Sequence, residues 1–183
     1  MNEQKIEQLR ERRLKLQEEI RLKDLRERVA FEIAHLENMG QSYSIHYDFE
    51  HLNWIGSNVS VRKKDGYNGI WEDFQIDVDD STASSVIKLS EEEINGDLFK
   101  KLIQTLISED GALIVCYQGG APELEISVKA FLNKPGVFLN RMEVWLLTTD
   151  KKWIIEYIAD QGAIRFIHLE GSVPTLVKKI VIE

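Results

Sequence analysis

The chain has 183 residues, of which 43% are hydrophobic and 30% charged, and its formal net charge is −8 at pH 7. This hydrophobic content is enough to build a folded core, so the composition excludes a globally disordered chain. The length favours one domain with an appendage over two full domains. We divide the sequence into a charged amphipathic helix at residues 1–38 and a single domain at residues 39–183.

The apolar segments and the single cysteine indicate in which cellular compartment the protein is expected. The longest uncharged apolar run is ALIVCY at Ala112–Tyr117, which is too short to span a bilayer, and the opening residues MNEQKIEQLRERR contain no apolar signal-peptide region. Cys116 has no second cysteine to pair with, and a thiol inside an apolar run most often behaves as a small buried hydrophobe. We therefore expect a cytoplasmic protein with no membrane partner and with Cys116 in the core.

The net negative charge of the chain comes entirely from residues 39–183. Residues 1–38 contain nine basic and nine acidic side chains, whereas the remainder contains 14 basic and 22 acidic ones. A body this acidic repels a phosphate backbone, so we expect no nucleic-acid partner. An acidic surface instead favours a basic protein, which it attracts over long range.

The N-terminal segment is predicted to be a long helix. Residues 2–38 contain no Gly or Pro and are rich in strong helix formers, and Gly40 supplies a stop signal. At about 100° per residue its apolar side chains form two stripes on nearly opposite sides of the helix. The first stripe comprises Ile6, Leu9, Leu16 and Ile20, and the second comprises Leu22, Leu25, Val29, Ile33 and Leu36.

Two arrangements of this segment are open. In one, the C-terminal half packs on the body while the first stripe meets another molecule; in the other, the helix breaks near Arg21 into a hairpin. The first stripe is also a candidate for self-association. Its two interrupted heptads fall short of the three or four that a self-sufficient coiled coil usually needs.

The first part of the body is predicted to contain a strand, a hairpin and a helix. Ser42–Phe49 alternates partially and indicates a strand, and Asn53–Arg62 and Ile70–Val78 flank the turn-rich segment KKDGYNG as hairpin arms. The polar composition of Asp80–Ser85 predicts a loop. A helix is predicted from an N-cap at Asp97 to about residue 108, with inward-facing Leu98, Leu102, Ile103 and Leu106.

The second part is rich in predicted strands. After Ala112–Tyr117 come LEISVKAF, MEVWLLTT, KWIIEYIA, AIRFIHLE and TLVKKIVI, at spacings of roughly ten residues that are typical of an antiparallel meander. We expect the core to include Trp145, Trp153, Tyr157, Phe166 and Ile180. The predicted fold class is α+β: a mostly antiparallel sheet with a C-terminal meander, one internal helix and the long N-terminal helix.

The segment HYDFEH at residues 46–51 is the densest group of metal-ligand types. On a strand, His46 and Asp48 point to the same face and could share a cation, with His51 coming from the following turn. The spacing H-x-D-x-x-H matches no metal motif with a physical basis, and it is not the helical HExxH. Tyr47 and Phe49, on the opposite face, indicate core positions, which would leave His46 and Asp48 in solvent.

Other segments resemble catalytic motifs only superficially. The acidic run Asp77–Thr82 fits neither an aspartate-nucleophile phosphatase nor a calcium loop, and YQGGAPE has the spacing of neither GxGxxG nor a P-loop. There is no GxSxG for acyl transfer. We therefore assign no catalytic residue and expect no cofactor.

These observations favour a non-enzymatic interaction module. The leading hypothesis is an immunity- or antitoxin-like inhibitor that occludes a basic protein partner sterically. Electrostatic steering would come from Asp77, Asp79, Asp80, Glu91, Glu92 and Glu93, and an aromatic anchor from Trp54 or Trp71. One alternative is a metal-dependent hydrolase using His46, Asp48 and His51, with Asp77 or Asp79 as a further ligand. The other is a structural protein that self-associates into a homo-oligomer through the first stripe.

Overall fold

The structure of this chain is a computed structural model that describes residues 3–59, 61–65, 72–76, 86–94, 96–107, 110–159 and 163–169. The helices within these residues are α1 Glu3–Glu27, α2 Ala30–Asn38, α3 Glu50–Asn58, α4 Glu91–Ile94, α5 Asp97–Leu106, α6 Val128–Asn133 and α7 Pro135–Phe138. The strands are β1 Tyr43–His46, β2 Val61–Asp65, β3 Glu72–Ile76, β4 Val86–Ser90, β5 Ala112–Tyr117, β6 Glu123–Ser127, β7 Glu143–Thr148, β8 Trp153–Ile158 and β9 Ala163–His168.

Seven of the strands form one antiparallel sheet. Their order is β1-β6-β5-β7-β8-β9-β4, and β2 and β3 form a separate antiparallel hairpin. β7, β8 and β9 are consecutive neighbours, as expected of a meander. The predicted α+β class with a mostly antiparallel sheet and a long N-terminal helix is therefore confirmed.

Helices cover one face of the large sheet, and α3 with the hairpin covers the other. On the first face lies a core that includes Phe99, Phe131 and Phe166. On the second face, Ile55 of α3 and Ile76 of β3 pack with Cys116, Trp145 and other sheet residues. Because successive side chains of a strand point to opposite faces, a strand covered on both sides must be apolar throughout. This explains why ALIVCY is an unbroken apolar run.

The aromatic core residues that the sequence predicted are largely where we expected them. Trp145, Trp153 and Phe166 are buried, and Tyr157 is partly buried against the first core. Ile180 and the predicted strand TLVKKIVI lie outside the described residues.

The N-terminal segment is two helices, and the junction is not where the hairpin alternative put it. α1 runs through Arg21 without interruption, and the chain turns only at Arg28 and Val29 before α2. The prediction of a break near Arg21 is wrong. In the second stripe, Leu22 is half-buried and the remaining members are buried, namely Leu25, Val29, Ile33 and Leu36.

Two segments that were predicted as strands are partly helical. The prediction of a strand at Asn53–Arg62 is wrong, because α3 occupies Glu50–Asn58 and β2 begins only at Val61. In LEISVKAF the strand ends at Ser127, whose hydroxyl accepts a hydrogen bond from the Ala130 N–H at 3.1 Å and so caps α6. The predicted strand Ser42–Phe49 is likewise shorter, since β1 ends at His46.

The internal helix was predicted with small errors at its ends. The N-cap of α5 is Gly96 instead of Asp97, and the helix ends at Leu106. Strand β4 and the short helices α4 and α7 had no counterpart among the predicted elements.

Within the described residues, no helix combines the length and the apolar character that crossing a membrane requires.

Candidate functional site

The segment HYDFEH folds into a tight corner between β1 and α3. β1 ends at His46, Phe49 adopts a left-handed backbone conformation with φ of 57°, and α3 begins at Glu50. Positive φ is rare for a bulky side chain, and here it occurs at the residue directly before α3. His51 therefore lies in the first turn of a helix, and its ring centroid is 5.1 Å from that of His46. Asp48 is exposed at the corner.

The carboxylates that contact these histidines come from β6. Nδ1 of His51 lies 2.8 Å from Oε2 of Glu123, and Nε2 of His46 lies 3.0 Å from Oε2 of Glu125. In the β1–β6 register Glu123 is opposite His46, and Glu125 is opposite Ser44. We call His46, His51, Glu123 and Glu125 the histidine–glutamate cluster. Residues two apart on a strand share a face, which is why both glutamates reach the same corner.

Glu123 also serves as the N-terminal cap of α3. Its Oε1 accepts the Leu52 N–H at 2.6 Å and its Oε2 accepts the His51 N–H at 3.3 Å. The first N–H groups of a helix have no partner within the helix, and a negative charge there also interacts favourably with the helix dipole. The Glu123 side chain is 1% exposed. A buried carboxylate satisfied in this way has a clear structural role.

The sequence pointed to the histidines but not to their partners. His46 and His51 stood out because ligand types are dense in HYDFEH, whereas Glu123 and Glu125 lie more than seventy residues away. The available signal was the pair of glutamates at alternate positions of a strand, with apolar residues at the positions between them. Connecting them to the histidines requires knowing that β1 and β6 are neighbours.

The cluster does not have the geometry of a metal centre. In the part of the chain that the structure describes, no group of three or more His, Cys, Asp or Glu side chains is placed to hold a metal ion. Asp77 and Asp79, the suggested further ligands, lie outside the described residues. The metal-dependent hydrolase hypothesis gains no support from this arrangement.

A histidine beside a carboxylate is also one half of a nucleophile-activating arrangement. The Cys116 thiol lies 4.0 Å from Oε1 of Glu123. Cys116 is fully buried, and burial raises the pKa of its thiol well above the ordinary value, with the Glu123 carboxylate as a second cause in the same direction. The reactive form of a cysteine is the thiolate. Cys116 is therefore a core residue, as the sequence indicated.

We expect Cys116 to react with a thiol reagent at least about tenfold more slowly in the native protein than in urea-unfolded protein, since each unit of raised pKa lowers the thiolate population tenfold and burial blocks access. Labelling with a chromogenic disulfide at pH 8, with and without urea, measures this directly because the chain has one cysteine. Rapid stoichiometric labelling of the native protein would contradict the assignment.

Comparisons with protein-family models, with curated proteins and with solved structures found no significant match to this chain.

The second candidate region is the first stripe of α1. Every side chain from Lys5 to Asp24 is exposed or half-buried. Within the stripe, Leu9, Leu16 and Ile20 are 54%, 56% and 60% exposed, and Ile6 is half-buried. These side chains belong to a helix about 37 Å long, at 1.5 Å per residue.

The α1–α2 junction is hydrogen-bonded to the body of the protein. Arg141 donates to the carbonyl oxygen of Arg28 at the α1–α2 junction, and also to Oε1 of the buried Glu32 at 3.3 Å. The guanidinium carbon of Arg141 lies 4.2 Å from the centre of the Tyr117 ring, a cation–π contact. Arg28 itself donates to the carbonyl oxygen of Gly120 at 3.3 Å. These contacts hold the α1–α2 junction against the segments that follow β5 and precede β7.

Four of the eight residues predicted to bind a basic partner lie in the described part of the chain. Glu91, Glu92 and Glu93 form the first residues of α4, and Glu93 is exposed. Trp54 is half-buried against the second core, with the Lys151 ammonium 4.8 Å from its ring centre. The other four predicted residues lie outside the described residues: Trp71, Asp77, Asp79 and Asp80.

Proposed function

We propose that the protein is an interaction module that binds a protein partner and performs no catalytic turnover. The observation that carries this proposal is the exposed first stripe of helix α1. Aliphatic side chains that are more than half exposed along one helix face are characteristic of an interaction site. The bonds of Arg28 and Arg141 hold the junction that follows α1 on the body, so the exposed face extends from an anchored end.

The internal bonding of the reactive side chains supports the same proposal. His46 and His51 are each engaged by a glutamate, Glu123 caps α3, and Cys116 is a buried thiol. These groups stabilise the corner between β1, β6 and α3. Their arrangement presents no activated nucleophile to a substrate.

The proposed partner is a basic protein, and the proposed mode of action is steric occlusion. The formal charge of −8 lies entirely on residues 39–183, so the domain attracts a cationic surface. The exposed Glu93 and the acidic residues near it in sequence would steer the approach. Helix α1 would supply the apolar contact that such steering alone lacks.

The test is affinity capture on the immobilised chain from an extract of its native cells. At about 0.1 M salt we expect one basic protein in stoichiometric amount, and at about 1 M salt, where the Debye length is about 3 Å, we expect it to be released. The double variant Leu9→Asp/Leu16→Asp should retain less than about a tenth as much, because truncating interface anchors typically costs more than tenfold in affinity.

Leu14→Asp is the matched control. Leu14 is 65% exposed but points away from the first stripe, so this variant should capture as much protein as the wild type. No stoichiometric protein at the lower salt concentration, or equal losses in both variants, would overturn the proposal.

A further inference from the structure

We propose that the first stripe of α1 pairs with the first stripe of a second copy of this chain, in antiparallel orientation. This inference rests on the proposed function, in which α1 is a contact element: without the basic partner, the first stripe is covered by a second copy of this chain. The stripe is the set Ile6, Leu9, Leu16 and Ile20, which spans an arc of about 80° at about 100° per residue. It therefore offers a narrow seam of the kind that a second helix covers.

The distribution of charge along α1 selects a second copy in antiparallel orientation. Residues 5–15 contain five basic and two acidic side chains, whereas residues 16–27 contain three basic and four acidic ones. A parallel pair would place the two basic halves side by side, with Arg13 against Arg13. An antiparallel pair places the basic half of each copy, with a net charge of +3, against the half of the other copy whose net charge is −1, so one sequence supplies both complementary surfaces.

In one register of the antiparallel pair, apolar side chains of the two copies face each other and opposite charges also lie side by side. When Leu9 of one copy lies opposite Ile20 of the other, Arg12 comes beside Glu19 of the other copy, and the two-fold axis creates each contact twice. Leu16 then faces Arg13, whose aliphatic stem can cover it while the guanidinium reaches solvent. The interruption of the stripe at Arg13 is accommodated in this register.

The second face of α1 is unsuited to the same role. The acidic residues Glu7, Glu11 and Glu18 lie on the side opposite the first stripe, at about 100° per residue. Toward the C-terminal end, that opposite side carries Leu22 and Leu25, which face the body of the same chain. Pairing through the first stripe leaves these intramolecular contacts intact.

The expected dimer is weak. Four aliphatic side chains from each copy cover less surface than the standard interface of about 1,600 Å², so association belongs in the micromolar range or above. Such a dimer holds two acidic domains at opposite ends of the helix pair. A basic partner that binds the first stripe more tightly than a second copy does displaces the weak dimer.

Disulfide trapping tests the orientation and the register. Leu9→Cys and Ile20→Cys are prepared as separate proteins and oxidised alone and as a mixture; the native Cys116 is buried and does not compete. The mixture is expected to give a disulfide-linked dimer in at least about tenfold higher yield than either protein alone, because only the mixed pair is opposed. Leu14→Cys, on another side of the helix, is expected to give none with either protein.

Sedimentation of the purified wild type from about 1 µM to about 500 µM completes the test, with Leu9→Asp/Leu16→Asp as the monomeric comparison. The average mass should rise toward that of a dimer only in the wild type, while circular dichroism shows both proteins folded. A monomer throughout, or a linked dimer of Leu9→Cys alone, overturns the inference. Both experiments use the purified chain, so this failure is distinguishable from a failure to capture a basic partner.

Discussion

Replacing Glu156 with alanine is expected to lower the free energy of unfolding by about 3–5 kcal/mol, the typical cost of removing one partner of a buried ion pair. Glu156 on β8 is 1% exposed and accepts hydrogen bonds from Arg165 Nε at 2.6 Å, from Trp145 Nε1 at 3.0 Å and from the Ile76 N–H at 2.9 Å. Arg165 also donates to the Ile76 carbonyl at 2.9 Å. The substitution leaves a buried guanidinium without its counter-ion and two buried N–H donors without an acceptor.

The double variant Glu156→Leu/Arg165→Leu separates the charge from the other contacts. Because an apolar pair of similar volume often replaces a buried ion pair at little cost, the double variant should be more stable than Glu156→Ala. It should stay below wild type, since the Ile76 and Trp145 N–H groups still lose their acceptor. Urea unfolding followed by tryptophan fluorescence and by circular dichroism measures all three proteins.

Glu11→Ala is the control for loss of a carboxylate at an exposed position, and it should change stability by less than about 0.5 kcal/mol. If Glu156→Ala were as mild as this control, the ion pair would not hold the β2–β3 hairpin to the sheet. The hairpin is expected to be the first element to lose hydrogen-exchange protection in Glu156→Ala, because Ile76 is its anchor to Glu156 and Arg165.

The parts of the fold that were predictable depend on local patterns. Each strand of the meander carries its own alternation and is bounded by its own turn, so β7, β8 and β9 were recognisable from sequence. The segment 53–62 was misread because α3 lacks a local start signal. Its N-cap residue is Phe49, and phenylalanine has no side-chain acceptor to offer. The acceptor is Glu123, more than seventy residues later in the chain.

The candidate site, too, was predictable only as far as local sequence patterns reach. Residue types alone singled out His46 and His51, and the structure does bring their rings together. The third member that was predicted, Asp48, is exposed, because the chain leaves the strand conformation immediately after His46. The carboxylates of Glu123 and Glu125 take the position that Asp48 was expected to fill. Strand order decides which side chains meet, and periodicity within one strand does not encode it.

Replacing Glu123 with alanine is the second large expected effect, a loss of about 2–4 kcal/mol from the free energy of unfolding. This loss combines the removal of a helix cap with the removal of a fully buried carboxylate that accepts hydrogen bonds. The effect should be smaller than that of Glu156→Ala, because Glu123→Ala leaves behind an imidazole that is 17% exposed, whereas Glu156→Ala leaves behind a buried guanidinium. Urea unfolding of the Glu123→Ala and Glu156→Ala variants measures the free energy of unfolding of each and so the difference between them.

Glu123→Gln distinguishes the two contributions. Its side-chain oxygen can still accept the Leu52 N–H, whereas the charge that interacts with the helix dipole and with His51 is absent, so we expect an intermediate loss. Hydrogen exchange locates the effect: protection should fall in the first turn of α3 and at its contacts with β5. If protection fell uniformly across the sheet instead, Glu123 would act through the β1–β6 ladder. Local loss would show that α3 exists because a strand distant in sequence supplies its cap.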